Sequence, residues 1–118
     1  MAKIDSLSIE IGEALKTYTK EVEEEIARAA DDVSKEAVSE LKSTSPRKTG
    51  EYAKGWGRKK QKNGYTVYNK KKPELTHLLE KGHAKRGGGR VPGIKHIEPV
   101  EEWANKEFEK RVEKVIKG

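Results

Sequence analysis

The chain has no cysteine, a single phenylalanine, two tryptophans and four prolines in 118 residues. Without cysteine there is no disulfide framework, no thiolate metal site and no thiol nucleophile, a usage that fits a reducing cytoplasm. Long apolar runs are missing as well. No segment reads as a signal peptide or a membrane span, and a soluble chain is expected. Only 32% of residues are hydrophobic while 39% are charged, so the core is expected to be thin and to lean on a partner subunit. The apolar residues are nevertheless strongly periodic, which separates the chain from a disordered one. Its length suits one domain over residues 1–118, with no internal repeat and no long linker.

Charge is segregated along the chain. Residues 1–43 carry 6 Lys and Arg against 11 Asp and Glu, residues 44–97 carry 15 against 3, and residues 98–118 carry 5 against 6. The middle of the chain therefore holds the whole basic excess behind the net charge of +6. A basic patch attracts nucleic acid, and acidic and basic surfaces on one chain also favour stacking of copies side by side. Both readings are open on charge alone.

Ile11, Leu15, Tyr18, Val22, Ile26, Ala29, Val33, Ala37 and Leu41 recur at steps of three or four, the stripe of an amphipathic helix. Ser6 or Ser8 is placed to cap it, and Glu21, Glu23, Glu24, Asp31, Asp32 and Glu36 make its solvated face. Unbroken from Ser8 to Leu41 it would be roughly 50 Å long, longer than the about 35 Å diameter of a compact domain of this size. Either it bends near Ala30, Asp31 and Asp32, or one end packs on another molecule. Pro46 disfavours helix at Ser45 and Gly50 opens backbone angles closed to other residues, so Ser45–Trp56 reads as a fixed corner. Tyr52 to Lys60 alternates as a glycine-weakened strand, Asn63-Gly64 supplies a two-residue hairpin turn, and Tyr65–Asn69 is the best strand in the chain.

Glu74 to Lys81 holds Leu75, Leu78 and Leu79 at helical spacing before Gly82 stops it. His83 to Lys95 has three consecutive glycines and four basic residues and reads as a mobile surface loop that orders on assembly. Ile94 to Ile97 suits one more short strand, and Pro99 suits the first position of a closing helix. That helix would bury Val100, Trp103, Ala104, Phe108, Val112, Val115 and Ile116. The fold class is α+β, with a long N-terminal helix, a small mainly antiparallel sheet, a short helix, a basic loop and a C-terminal helix on the sheet.

No chemistry-bearing constellation emerges. His77, His83 and His96 match no zinc spacing and read as surface residues. Ser43 and Ser45 lack a nucleophile-elbow context, Glu101 and Glu102 are first-turn acids, and Gly87–Gly89 is not followed by the lysine and hydroxyl of a phosphate loop. No cofactor is called for. Tyr52, Trp56, Tyr65 and Tyr68 lie within the basic region as a conceivable base-stacking platform. Burial against the helices is the simpler use of Trp56 and of Tyr65 or Val67, because other large side chains are few.

The order of these pieces resembles a family. Ser45-Pro46 with Thr49-Gly50, Tyr52 and Trp56, the hairpin to Asn69, Glu80 and Gly82 before His83, and His96 with Pro99 follow the pattern of the tail-component family of long-tailed phages and prophages. These are the neck or head-to-tail joining proteins of the Hong Kong type of lambdoid phage. His83 stands where the family often has Thr or Ser, and the loop is unusually basic. The resemblance implies a non-enzymatic morphogenesis protein that forms a ring between head and tail in the virion neck, made in the bacterial cytoplasm. Implied partners are its own copies, the phage connector or head-completion protein, tail proteins and DNA in the lumen, with no membrane. Lys85, Arg86, Gly87, Gly88, Gly89, Arg90 and Lys95 would form the contacting loop. The competing class is a small nucleic-acid-binding protein with residues 54–95 as its footprint.

Overall fold

The described chain begins with a strand where the helical stripe predicts helix. The computed structural model describes residues 6–10, 19–46, 50–61, 64–85 and 87–117. Strand β1, Ser6–Glu10, pairs antiparallel with β3, Gly64–Asn69, setting Leu7 opposite Val67 and Ile9 opposite Tyr65. The expected helical start at Ser8, and a cap at Ser6 or Ser8, are thus corrected. Ser-Leu-Ser-Ile has a period of two, which sends Leu7 and Ile9 to one face, where both are buried. Ile11, Leu15 and Tyr18 of the predicted stripe lie outside the described residues.

Helix α1 runs over Lys20–Thr44 and is capped by Thr19, whose hydroxyl accepts from the Val22 N–H at 3.3 Å. It continues through Ala30, Asp31 and Asp32 with no interruption, so the chain does not double back there. Asp31 is not part of the solvated face: Arg58 from the sheet reaches both its carboxylate and its backbone carbonyl. Ile26, Ala29, Val33, Ala37 and Leu41 are buried, as the spacing predicts; Ala30, outside the predicted stripe, is buried too, and Val22 is half-buried. The helix ends where Ser45 turns extended ahead of Pro46.

Four residues after Pro46, Gly50 takes φ +85 and opens a single turn of helix, α2, over Glu51–Lys54. The predicted strand from Tyr52 is therefore shortened, and β2 covers Trp56–Gln61. Helical spacing suits the apolar pattern here, because Tyr52, Ala53 and Trp56 must all point inward, and all three are buried. The β2–β3 hairpin forms as expected, with Asn63 of its turn outside the described residues. Sheet order is β1-β3-β2, all antiparallel.

Helix α3, Leu75–Lys81, ends at Gly82, whose φ is +83. The expected mobile loop beyond it is corrected to a small hairpin: β4, Gly82–Ala84, pairs with β5, Arg90–Pro92, around the triple glycine. Backbone hydrogen bonds organise this hairpin in place of apolar contacts. No strand forms at Ile94 to Ile97. Ile94 is 57% exposed, and helix α4 starts at Ile97, so Pro99 is its third residue rather than its first. Helix α4 reaches Lys117 and buries Ile97, Val100 and Ala104, with Phe108 partly covered. Trp103 and Ile116, expected inside, are 39% and 46% exposed.

One face of the sheet, through Leu7, Ile9, Val67 and Trp56, packs on α1 and α4. Ala30, Ala37 and Ala104 let these elements approach closely. Beyond the sheet, α1 and α4 continue side by side and are clipped by Arg111, which holds both carboxylate oxygens of Glu36 at 2.7 and 3.2 Å. The body is elongated, 59 × 23 × 21 Å, with a radius of gyration of 16.4 Å against about 13.5 Å for a compact chain of this length.

The two helix-flanking glycines separate two kinds of strain. A Cβ at Gly50 would meet nothing, so Gly50→Val should cost only the left-handed backbone penalty, about 1–2 kcal/mol. A Cβ at Gly82 would in addition strike the Val91 carbonyl and the backbone of Pro92 and Gly93. Gly82→Val should therefore lose clearly more stability than Gly50→Val in urea unfolding; equal losses would refute the steric distinction.

Candidate functional site

The corner after α1 is tied to the start of α4 by a buried polar knot. Tyr52, carried inward by α2, places its hydroxyl 2.7 Å from His96 Nε2, and the His96 backbone N–H donates to Glu80 Oε1 at 2.7 Å. Glu80 Oε1 also accepts the N–H of Ile97 at 2.9 Å, and Oε2 that of Glu98 at 3.0 Å. A helix start leaves such donors without intrahelical partners. Glu80 supplies them from another helix, and Pro99, the next residue, has no N–H to satisfy.

Electrostatics fix the protons in this knot. Burial, reinforced by the Glu80 charge, pushes the Tyr52 hydroxyl well above its ordinary value near 10. Burial alone would push the Glu80 carboxyl up, but the three backbone donors and His96 outweigh it and hold the group below its ordinary 4.5. Tyr52 thus keeps its proton. His96 Nδ1 faces two acceptors, the Ile94 carbonyl at 2.8 Å and Glu80 Oε1 at 3.0 Å, so Nδ1 carries a ring proton, and in the neutral tautomer with that proton Nε2 accepts from the Tyr52 hydroxyl.

The other side of the corner is held in the same way. Trp56 Nε1 donates to Ser45 Oγ at 2.7 Å, and Asn69 Nδ2 donates to the Tyr52 carbonyl at 2.7 Å. Tyr52, Trp56 and His96 stack edge to face, with centroids 5.5 to 6.4 Å apart. His96 is 2% exposed and so is corrected from a surface residue to the centre of the knot. His77 and His83 are exposed. The groups of the knot are buried and paired with one another, and what their contacts do is position backbone. Among the described residues no three His, Asp or Glu side chains gather as a metal site, and no helix is long and apolar enough to cross a membrane.

The structure brings Tyr52, Trp56, Glu80 and His96 together, with Gly50 and Gly82 at the turns that aim them. Pro46 is half-buried and Pro99 exposed, while Thr49 and Arg86 lie outside the described residues. Lys85, Gly87, Gly88, Gly89, Arg90 and Lys95 are exposed around the β4–β5 hairpin. Two of these cations are tethered: Arg90 donates to the Lys81 carbonyl at 2.8 Å, and Lys95 pairs with Glu98 at 3.8 Å. Ser45 and Asn69 are structural partners that periodicity gave no reason to select. A Pro directly after the helix stop, for Ser45, and Asn at a strand end, for Asn69, are the local signals they carry.

Residues 9–82 match the family model described as "Bacteriophage HK97-gp10, putative tail-component". The chain belongs to this family. The match covers well over half of the HK97-gp10-like chain and runs from β1 to Gly82, taking in α1, the corner, the hairpin and Glu80. His96 and Pro99 lie beyond it. No curated protein and no solved structure matches. Family membership makes this a structural, virion-associated phage tail component.

Proposed function

We propose that this tail component acts without catalysis at the head-to-tail junction, in the neck, as a ring of identical subunits that joins the connector or head-completion protein to the tail. The observation that carries the reading is the shape: an elongated body with a small core and large apolar side chains, Leu78, Ile94, Trp103 and Ile116, left on its surface. Such a subunit is completed by neighbours. The acidic ridge of α1 and the basic half of the next copy form a heterologous contact, which closes into a ring when the rotation per subunit permits. The β4–β5 hairpin, with Lys85 and its glycines exposed, is the arm that meets the adjoining ring. Arg90, held on the Lys81 carbonyl, stiffens its base.

Mass measurement of the protein alone, with purified connector and with tail protein tests this, followed by imaging of the neck. Ring-sized species with at least one partner are expected. A strict monomer that joins neither partner would sink the proposal, whereas a monomer only in isolation fits assembly triggered by the partner.

A further inference from the structure

The helices cover one face of the three-stranded sheet, and the other face carries a row of different chemistry. In register, Tyr68 of β3 lies between Ser6 of β1 and Gly57 of β2, and Thr66 lies between Ser8 and Lys59. These residues alternate with Leu7, Ile9 and Val67, which are buried under α1 and α4, so they point the opposite way. The Tyr68 ring has the Lys59 ammonium 5.6 Å and the Lys70 ammonium 6.0 Å from its centroid. Gly57 makes room for this. A Cβ there would collide with the Lys70 side chain, which lies across the glycine. Among the described residues neither lysine meets a carboxylate.

From this face we infer that the sheet binds the phosphate backbone of double-stranded DNA, independently of base sequence, with Lys59 and Lys70 as the phosphate contacts and Tyr68 as the ring that positions them. Charge decides between a polyanion and a second copy. Each chain carries +6, so pairing acidic α1 against a neighbour's basic half leaves that surplus on every copy in the assembly. A second copy therefore cannot neutralise it. A polyanion can, with release of its counterions. The hydroxyls of Ser6 and Ser8 add uncharged donors of the kind proteins commonly direct at phosphate oxygens, while that of Thr66 is donated to Gln61 Oε1. Gln61, at the end of this face, is engaged by the Thr66 hydroxyl through its Oε1, and no Arg or Asn stands in the row for bidentate contact with base edges, so contact with the backbone is the form the recognition takes.

The test is fluorescence anisotropy with a labelled random-sequence duplex, from roughly 50 to 200 mM salt. The wild-type protein should bind, and Lys59→Ala/Lys70→Ala should bind about tenfold more weakly at the lower salt, with the slope of log K against log salt reduced by about 2. Tyr68→Leu, which keeps the bulk and loses the ring, should weaken binding without that change in slope. Lys106→Ala/Lys110→Ala on α4 removes the same charge elsewhere and should leave the slope unchanged. Thermal melts of each variant, expected to overlay the wild type, separate contact from folding. Absence of wild-type binding at low salt overturns the inference, as do equal losses from the two double variants. So does a double variant at Lys59 and Lys70 that loses self-association while keeping DNA binding, which would assign the face to a second copy. None of these outcomes depends on whether the protein forms a ring with its phage partners.

Discussion

Glu80→Ala is expected to lower the stability of this protein by about 3–5 kcal/mol, the largest loss of any polar substitution among the described residues. The carboxylate is 2% exposed and accepts the N–H groups of His96, Ile97 and Glu98 while facing His96 Nδ1. Alanine leaves these donors buried with nothing to replace the carboxylate, and each unsatisfied group costs about 1–3 kcal/mol. A loss of that size is a large part of the about 5–15 kcal/mol that holds a domain folded. Urea unfolding measures it; a loss below about 1 kcal/mol would show that water reaches these donors and that the knot is not sealed.

Acid provides an independent check of the same group. The folded Glu80 carboxyl titrates below its ordinary value of 4.5, so its contribution is fully present above that value and is lost as pH falls through the folded one. Glu80→Gln does not titrate. The stability gap between wild type and Glu80→Gln should therefore be constant near neutrality and narrow progressively below pH 4.5. Asp31, whose carboxyl Arg58 also holds low, titrates in both proteins and cancels in the difference. A gap independent of pH down to complete acid unfolding would contradict a charged, hydrogen-bonded carboxylate at this position.

The elements with a long apolar period were legible in the sequence. The α1 stripe from Ile26 to Leu41, the hairpin strands and the stop at Gly82 follow from spacing and turn chemistry. The N-terminal strand was not, because Leu7 and Ile9 give just two alternations before Ile11, Leu15 and Tyr18 offer a helical continuation. Its pairing with β3 is a long-range event that local pattern does not encode. The far end of α4 was misread for a related reason. Trp103 and Ile116 fit the helical period, yet both stay exposed, and Phe108 is only half-covered. Periodicity gives the direction of a side chain but not the presence of a neighbour.

The knot shows a different limit. Glu80, His96 and Tyr52 are titratable or polar residues, which sequence reasoning assigns to the surface by default. Burial of Glu80 follows from where α4 begins, and that start is set by the path of the β4–β5 hairpin: Ile94 donates its N–H to the Leu79 carbonyl, which brings the chain back beside α3. The family resemblance picked out Glu80, Gly82 and His96 as separate motifs. Their contact turns a set of motifs into one structural device, which closes the corner at Tyr52 against the last helix.

Trp56 is the apolar counterpart, and Trp56→Ala should cost about 3–5 kcal/mol. The indole is 3% exposed, fills the space between the end of α1 and the sheet, and meets Tyr52 and His96 edge to face. Part of the loss is separable. Trp56→Phe keeps most of the ring but leaves Ser45 Oγ without its donor, and Ser45→Ala leaves the indole N–H without its acceptor, so each should cost about 1–3 kcal/mol. Removing both partners together leaves neither group stranded. The double variant should therefore be more stable than the sum of the single losses predicts, by about 1 kcal/mol or more. Full additivity would mean that the 2.7 Å contact contributes nothing specific. Fluorescence can follow Trp56 alone in a Trp103→Phe background, since Trp103 is 39% exposed and outside the core. In that background the emission should be blue-shifted in the folded protein and move red in the same urea transition that reports loss of helix. If the indole emission shifts at lower urea than the helix signal, the corner opens before α1 unfolds, and Ser45–Trp56 is then a hinge between helix and sheet rather than a fixed joint.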